Sequence, residues 1–275
     1  MVGLRVVAEE IKKLKIQGAE EIAVAAINAW KNARNKNIAT KILENTRPTE
    51  PMLRNSLKYL KYFGDADAIL SLIKENKEKI IKYGSRIIKN DNVIYTHCHS
   101  STVEAILKKS KDEGKHFEVH LTETRPHFQG RITATNLSRY NIKTKLFVDS
   151  AVMYALKDAD LMIIGSDAIT SNGDIINKIG SRLFAKIALD MGIPVYVAAD
   201  SLKFDPKTRY GFSEAIEKRS EKEVWPGKPR GVEIVNPVFE IVPEAYIYSM
   251  ITEFGLLKPE MLVSELEKKY SWLFS

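Results

Sequence analysis

The sequence has very little cysteine and no long apolar run, and each absence excludes a class of protein. Cys98 is the single cysteine among 275 residues, which rules out an intrachain disulfide and a zinc site built from several cysteines. No apolar stretch approaches the roughly 18–20 residues that span a bilayer. The first five residues also lack the charged-then-apolar pattern of a signal peptide. We therefore expect a cytoplasmic protein that does not associate with membranes.

The chain is also poor in proline and glycine, and its charge excess is small. With 10 Pro and 14 Gly, it is neither collagenous nor of low complexity. The 42 Lys and Arg against 35 Asp and Glu give a net charge of +7, and Glu is interleaved with Lys at helical spacing. That pattern is typical of solvated helix faces rather than of a nucleic-acid surface, so a nucleic-acid partner is not expected.

The hydrophobic pattern changes near residue 89 and predicts two domains. Before this point, apolar residues and alanines recur at helical spacing, so residues 1–88 are predicted to form a helical N-terminal domain. Residues 89–275 alternate short apolar strands with helical segments, which indicates a parallel sheet covered by helices on both faces. The predicted strands in this part are Val93–Tyr95, Phe117–Leu121, Lys145–Val148, Leu161–Ile164, Val195–Ala198 and Val238–Val242.

The end of the chain gives two weaker predictions. The spacing predicts a final pair of helices over Pro243–Phe254 and Pro259–Lys268. The preceding segment, Ser201–Val235, has no clear period and contains several prolines and glycines. Long loops in compact domains are usually functional or disordered, so this segment is either a lid over a site or a plain surface loop.

Cys98 follows the first predicted strand and is the sharpest candidate for chemistry. The next residues, Ser101 to Glu104, have the spacing of a helix capping box, which puts Cys98 just before a helix N-terminus. Such a position lowers the pKa of a thiol, and we expect a thiolate near neutrality with His97 and His99 supporting its reactivity. The alternative is an inert, buried cysteine. A His-Cys-His metal site is disfavoured, because in an extended strand the two histidines face the opposite way from Cys98.

A second candidate, Asp167, follows the apolar strand Leu161–Ile164. A carboxyl group held against apolar walls favours its neutral form and can donate a proton near pH 7. The local sequence is equally compatible with an aspartate that only caps a helix or closes a turn.

Several side chains after the predicted strands are suited to binding phosphate groups and sugar hydroxyls. Asn177 and Lys178 are predicted to open a helix, so that backbone N–H groups there would also face an anion. The sequence lacks the Gly-rich fingerprints of dinucleotide sites and P-loops, so neither nicotinamide chemistry nor nucleotide hydrolysis is indicated. The candidate donors are Arg47, Arg125, Gln129, Asn177, Lys178 and Lys203.

Taken in order, these motifs resemble one superfamily over nearly the whole chain. It contains the alpha, beta and delta subunits of translation initiation factor 2B, methylthioribose-1-phosphate isomerase and archaeal ribose-1,5-bisphosphate isomerase. The string Thr96-His97-Cys98-His99-Ser100 is most similar to the last group. The other segments that carry the resemblance are Thr46–Thr49, Glu123–Pro126 with Gln129-Gly130, Asp149–Ala151, Gly165–Ile169, Asn172-Gly173, Asn177–Gly180 and Ile251–Gly255.

The resemblance implies a fold and a set of site residues. The expected fold is α/β: a helical N-terminal domain on a Rossmann-like domain, assembled as homo-oligomers that are dimers or trimers of dimers. Cys98 and Asp167 match the acid/base pair of the enzyme branch. The positions that match substrate-binding residues are Gln17, Gly18, Ala19, Arg47, Arg125, Gln129, Asn177, Lys178 and Lys203. Gln17 is a departure, because the family has a phosphate-binding Arg there.

The activity implied by this resemblance is an aldose–ketose isomerization of ribose 1,5-bisphosphate to ribulose 1,5-bisphosphate. The small-molecule partner would be the sugar phosphate, and neither a metal nor a cofactor is expected. Two alternatives remain open. One is a non-catalytic subunit that binds initiation factor 2 or a nucleotide, and the other is an isomerase of methylthioribose 1-phosphate or another 5-modified ribose 1-phosphate.

Overall fold

Helices occupy the described chain up to Ile87. The structure is a computed structural model that describes residues 2–211 and 219–275. Local sequence sets the helix ends: Gly18 precedes the second helix with a φ of 89°, and the Asp65 carboxylate accepts the Ala68 N–H at the start of the fifth. The helices are α1 (Val2–Lys12), α2 (Ala19–Lys31), α3 (Lys36–Glu44), α4 (Pro51–Phe63) and α5 (Ala66–Ile87).

After α5 the chain alternates strands and helices, as the sequence predicts. The elements are β1 (Val93–Thr96), α6 (Ser101–Asp112), β2 (Glu118–Thr122), α7 (Gln129–Arg139), β3 (Lys143–Phe147), α8 (Val152–Leu156), β4 (Leu161–Ile164), β5 (Ala168–Ile169), β6 (Ile175–Lys178), α9 (Ser181–Asp190), β7 (Val195–Ala198), β8 (Phe239–Val242), β9 (Ser249–Thr252), β10 (Gly255–Leu257) and α10 (Leu262–Lys269).

The main sheet has the order β10-β9-β7-β4-β1-β2-β3 and is parallel except for β10. From β1 the chain proceeds outward through β2 to β3, and from β4 it proceeds the other way through β7 to β9. The order therefore reverses between β1 and β4, and ligands of open α/β sheets bind at such a reversal, at the carboxyl ends of the strands. The predicted α/β fold class is confirmed, and the reversal lies where Cys98 follows β1 and Asp167 follows β4.

Two of the predicted elements are wrong, and a third is a strand of a different sheet. The predicted helix Pro243–Phe254 contains β9, with β10 following it, and all four residues of β9 are buried because β9 extends the parallel sheet beside β7. The predicted strand Val238–Val242 is β8, but it belongs to a separate sheet of order β5-β6-β8. Asn177 and Lys178 end β6 instead of opening a helix, and α9 begins only at Ser181.

The helical part and the sheet contact each other through buried groups. The Asn55 side chain donates to the carbonyl oxygens of Leu202 and Phe204, both at 2.7 Å, and Leu202 is buried in the helical core. The division into domains at residues 88 and 89 stays a prediction. In the described ranges, no helix combines the length and apolar character needed to cross a membrane.

The predicted loop Ser201–Val235 consists, where described, mainly of short turns. Three-residue and five-residue 3-10 turns occupy Ser201–Lys203, Pro206–Tyr210 and Glu221–Glu223. Residues 212–218 of this segment lie outside the described residues, and the lid interpretation stays a prediction.

Candidate active site

An open cavity of about 450 Å³ lies where the strand order reverses, with walls from the helical part and from the sheet. A volume of this size accommodates a small ligand. Both candidate acid/base residues and all but one of the candidate binding residues line it. They are Gln17, Gly18, Ala19, Arg47, Cys98, Gln129, Asp167, Asn177, Lys178 and Lys203.

Arg125 is the candidate that does not line this cavity. The carboxylate of Asp149 accepts its backbone N–H, and the side chain turns outward, where it donates to the Val224 carbonyl oxygen at 3.3 Å. Its guanidinium also lies 5.0 Å from the centre of the Phe128 ring. Arg125 therefore lies outside this cavity, and its part in binding stays a prediction.

Cys98 is held in a fixed, sparsely populated backbone conformation. Its φ of 67° lies in the left-handed region, which is uncommon for residues other than glycine. Two threonines hold it there: the Cys98 N–H donates to Thr124 Oγ1 at 3.1 Å, and Thr133 Oγ1 donates to the Cys98 carbonyl oxygen at 3.0 Å. The thiol itself donates to Gln129 Oε1 at 3.5 Å. Strained residues of this kind concentrate at functional sites.

Burial of the side chain opposes the thiolate expected at Cys98. Burial raises the pKa of the Cys98 thiol to about 11, although the Lys178 ammonium and the His99 backbone N–H oppose this rise. The side chain of Cys98 is only 7% exposed, so the loss of hydration outweighs the favourable field of the following helix. The cysteine is therefore a thiol near neutral pH.

His97 does not support the reactivity of Cys98 as predicted, because both of its ring nitrogens are already engaged. Its Nε2 lies 2.9 Å from the Ile179 carbonyl oxygen and its Nδ1 lies 3.0 Å from Thr122 Oγ1. Burial lowers the pKa of His97 to about 4. This histidine ties β1 to β2 and to the end of β6, and it stays neutral.

Asp167 faces Cys98 from the other side of the strand reversal. Its backbone N–H donates to the Ile176 carbonyl oxygen at 2.8 Å, which fixes it between β4 and β5. Its side chain is half-buried, and its charge acts to raise the pKa of Cys98. The structure thus brings the two candidates to one cavity. Their roles as an acid/base pair, and the neutral form of Asp167, stay predictions.

The polar side chains around this pair are fixed by contacts of their own. Asn177 Nδ2 donates to Ser181 Oγ at 3.0 Å, and Lys203 Nζ donates to the Ser166 carbonyl oxygen at 2.7 Å. Lys178 Nζ lies 4.9 Å from the centre of the Phe239 ring. Pinned donors of this kind suit the binding of an anionic, hydroxylated ligand.

The helical wall holds the position where the family's arginine is replaced. Gln17 Nε2 donates to the Leu14 carbonyl oxygen at 2.8 Å, so its amide closes a local turn. Arg47 pairs with Glu50, with Arg47 Nη2 3.0 Å from Glu50 Oε1.

Sequence reasoning missed Lys15, His99 and Arg219 as binding candidates, although all three line the cavity. Lys15 belongs to a lysine run that matches a solvated helix face. Arg219 stands in the segment without a period, where only the lid interpretation pointed to it. Among residues 2–211 and 219–275, no group of three or more His, Cys, Asp or Glu side chains is arranged to hold a metal ion.

Comparison with curated proteins places the chain among sugar-phosphate isomerases by sequence. It is 37% identical to the ribose 1,5-bisphosphate isomerase of Pyrococcus furiosus, over 98% of this chain and 94% of that protein. It is 31% identical to the methylthioribose-1-phosphate isomerase of Thermosipho africanus, over 89% of this chain and 79% of that protein.

Comparison with solved structures gives the same fold. A crystal structure from Pyrococcus horikoshii OT3, titled as the translation initiation factor eIF-2B, matches with a TM-score of 0.83 at 26% identity. The match covers 93% of this chain and 97% of that one. The model of the initiation factor 2 subunit family matches residues 1–259, and the chain belongs to that family.

Proposed function

We propose that this chain is an aldose–ketose isomerase that converts ribose 1,5-bisphosphate to ribulose 1,5-bisphosphate. The observation that carries the proposal is the meeting of Cys98 and Asp167 in one cavity that is also lined by Arg47, Lys178 and Lys203. A cavity with two acid/base groups and several cations suits a doubly phosphorylated sugar whose protons must be moved. The name of the Pyrococcus furiosus relative supports this substrate.

The substrate dictates which protons move. Its C1 carries a phosphate ester, so no free aldehyde can form, and the ring opens only when the ring oxygen receives a proton. One hydrogen then passes from C2 to C1, and the C2 hydroxyl loses its proton as the ketone forms. In our proposal Asp167 protonates the ring oxygen, and Cys98 carries the C2 proton to C1 through an enol phosphate.

The resting thiol has to ionise before it removes a proton from carbon. The Lys178 ammonium and the His99 backbone N–H both stabilise the thiolate against the burial that raises its pKa to about 11. Transfer of a hydride directly from C2 to C1 would need no base at C2, and Cys98 would then serve only to shape the site.

The remaining polar groups hold the substrate. Arg47, Lys178 and Lys203 supply positive charge for the phosphates, and Gln129 and Asn177 supply amides for the hydroxyls. Positioning of this kind lowers the entropy cost of bringing C1 and C2 to the reacting groups.

The test is turnover of ribose 1,5-bisphosphate by the purified chain, followed by phosphorus NMR. Cys98→Ser and Asp167→Asn should each lower kcat by about 10²–10⁴-fold, which is the usual contribution of a general acid or base. Arg139→Met is the matched control, because Arg139 is exposed at the end of α7, outside the cavity, and its substitution should leave the rate unchanged. No turnover by the natural chain, or full turnover by Cys98→Ser, would contradict the scheme.

Two other functions are separated by parallel measurements. The Pyrococcus horikoshii structure titled as an initiation factor favours a binding role, which a pull-down with the alpha subunit of initiation factor 2 would detect. The Thermosipho africanus relative favours methylthioribose 1-phosphate, and a substrate panel that differs only at C5 distinguishes the two isomerizations.

The proposal includes assembly into a homo-oligomer. Apolar side chains after the edge strand β3 and on helix α8 are exposed, among them Val148 at 55%, Met153 at 63% and Tyr154 at 76%. Contiguous exposed apolar surface marks interaction sites in soluble proteins. Light scattering of the purified chain gives the number of subunits.

A further inference from the structure

The isomerization proposed above needs one more proton acceptor than Cys98 and Asp167 provide. The proton of the C2 hydroxyl must leave as the C2 ketone forms, whether the hydrogen passes from C2 to C1 as a proton or as a hydride. In the enol route, Asp167 is occupied at the ring oxygen and Cys98 at C2 and C1. A third group in the cavity must therefore accept the proton from O2.

His99 lines the cavity, and its hydrogen bonds fix which ring nitrogen carries a proton. The hydroxyl of Thr133 has one hydrogen, and it donates that hydrogen to the Cys98 carbonyl oxygen at 3.0 Å. Thr133 Oγ1 also lies 3.0 Å from His99 Nδ1, so in that contact it can only accept. His99 Nδ1 therefore bears the proton, and in the neutral ring Nε2 has a lone pair.

The same reasoning gives the opposite result for His97. Its Nε2 meets the Ile179 carbonyl oxygen, which only accepts, so Nε2 carries the proton and Nδ1 accepts from a threonine hydroxyl. His97 is 2% exposed and offers no free lone pair. The side chain of His99 is 29% exposed, and no hydrogen bond to its Nε2 is made by the part of the chain that the structure describes.

A buried carboxylate stands behind His99 and completes the arrangement of a general base. Glu104 Oε2 lies 3.7 Å from His99 Nδ1, and Glu104 is held by Lys108 Nζ at 2.5 Å and Asn136 Nδ2 at 2.9 Å. An anion on the protonated side of an imidazole orients the ring and stabilises the imidazolium that forms when Nε2 accepts a proton.

We propose that His99 is a third catalytic residue, whose Nε2 accepts the proton of the substrate's C2 hydroxyl. The O2–H bond breaks, its electron pair forms the C2 carbonyl, and the proton goes to Nε2. The imidazolium returns this proton to solvent, and the Asp167 carboxylate regains one from solvent. No proton is consumed over a cycle, and the cysteine, aspartate and histidine return to their starting forms.

His99→Asn is the variant that tests this role most directly. An asparagine amide nitrogen can replace Nδ1 as the donor to Thr133, but nothing in asparagine replaces the lone pair of Nε2. We expect kcat to fall by about a hundredfold or more, in the range of a lost general base, with KM within about threefold of that of the natural chain. His116→Asn changes an exposed histidine outside the cavity and should leave both constants unchanged.

His99→Ala supplies a second readout that a structural role would not give. Because the cavity is open, added imidazole should raise the kcat of His99→Ala at least about tenfold. Added imidazole should not change the rate of Cys98→Ser. Thermal unfolding of each variant checks that the fold is intact, and His99→Gln replaces any variant that does not fold.

The outcomes separate this inference from the function on which it rests. Turnover by the natural chain, with His99→Asn within about threefold of it, would overturn the role of His99 and leave the isomerase standing. A loss of activity in His99→Ala that imidazole does not relieve would also overturn it. Absence of turnover by the natural chain would contradict both the proposed isomerase function and the role of His99.

Discussion

His97 and His99 have the same sequence context, one residue on each side of Cys98, and opposite environments. In a regular strand they would face the same way. The φ of 67° at Cys98 breaks that regularity, so His97 packs inside the sheet while His99 lines the cavity. Nothing in the one-letter sequence signals a left-handed residue at a cysteine. The polar, reactive character of this loop was predictable from the sequence. The different positions of His97, inside the sheet, and His99, at the cavity, were not.

At the same scale, Lys15 is predicted to supply the cation that Gln17 lacks. Lys15 lines the cavity beside Gln17, whose amide is engaged by the Leu14 carbonyl oxygen. Lys15→Met should raise KM for ribose 1,5-bisphosphate by about 10- to 100-fold with kcat little changed, because a lost contact to a bound phosphate is worth about 1.5–3 kcal/mol. Steady-state kinetics measure both constants.

A second substitution, added to the Lys15→Met variant, tests whether the lost charge is the cause of the change in KM. Gln17→Arg, combined with Lys15→Met, should return KM toward that of the natural chain, since it restores positive charge on the same wall. Lys12→Met changes a lysine of the same run that does not line the cavity and should leave KM as it is. A KM unaffected by Lys15→Met would exclude the proposed contact.

Among the elements, those predicted best are strands whose whole length is apolar. Leu161–Ile164 and Val195–Ala198 have the predicted bounds because both are buried central strands of the parallel sheet. Ser249–Thr252 is equally buried, yet its sequence neighbours carry apolar residues at helical spacing. Its partner Val195–Ala198 lies far away along the chain, so local periodicity contains no sign of the pairing.

The candidate site was predictable as far as it depends on strand ends. Residues after β1, β4 and β7 converge because carboxyl ends of parallel strands meet at one edge of a sheet. Asn177 and Lys178 reach the cavity by a different route, through the antiparallel pairing of β6 with β8. That pairing joins segments distant in sequence, so the sequence marked these two residues by their donor chemistry and the family resemblance, and it assigned them to the wrong element.

The ends of β7 and β9 carry a buried carboxyl pair that makes stability depend on pH. Burial and the neighbouring Glu253 raise the pKa of Asp200 well above its usual range. The folded protein therefore holds a proton that the unfolded chain releases above about pH 4. Since the folded state binds more protons there, the free energy of unfolding should fall as the pH rises from about 4 toward the folded pKa.

Asp200→Asn should remove this part of the pH dependence. The new amide oxygen can still accept the Leu202 N–H and the Asn76 amide, which now bond to Asp200 at 2.8 and 3.3 Å. We expect the variant to be more stable than the natural chain at pH 8 by on the order of 1 kcal/mol, the value of one pKa unit. Urea unfolding at pH 5 and pH 8 measures the difference, with the exposed Asp158→Asn as control. A variant that loses stability equally at both pH values would contradict the neutral, buried Asp200.

For the molecule as a whole, the cavity exists only where the helical part meets the sheet. Gln17, Gly18 and Arg47 come from the helical part, whereas Cys98 and Asp167 come from the sheet. Polar contacts across this boundary hold the two walls together. The Arg54 guanidinium pairs with Asp205 at 3.0 Å, and Lys58 Nζ donates to the Leu273 carbonyl oxygen at 2.9 Å.

Substitution of Asn55 tests whether the helical part and the sheet unfold together. Asn55→Ala leaves the carbonyl oxygens of Leu202 and Phe204 buried without their donor, which should lower the free energy of unfolding by about 2 kcal/mol. Because Leu202 packs in the helical core while its chain neighbours follow β7, we expect one cooperative transition at a lower urea midpoint. Far-ultraviolet circular dichroism follows the helices, and tryptophan fluorescence reports on Trp30 in the helical core, on the exposed Trp225 and on Trp272 near the chain end. The exposed Asn45→Ala is the control and should move the midpoint only slightly. Two separated transitions would show instead that residues 1–88 unfold on their own, since contacts such as those of Asn55 would then be too weak to couple the walls of the cavity.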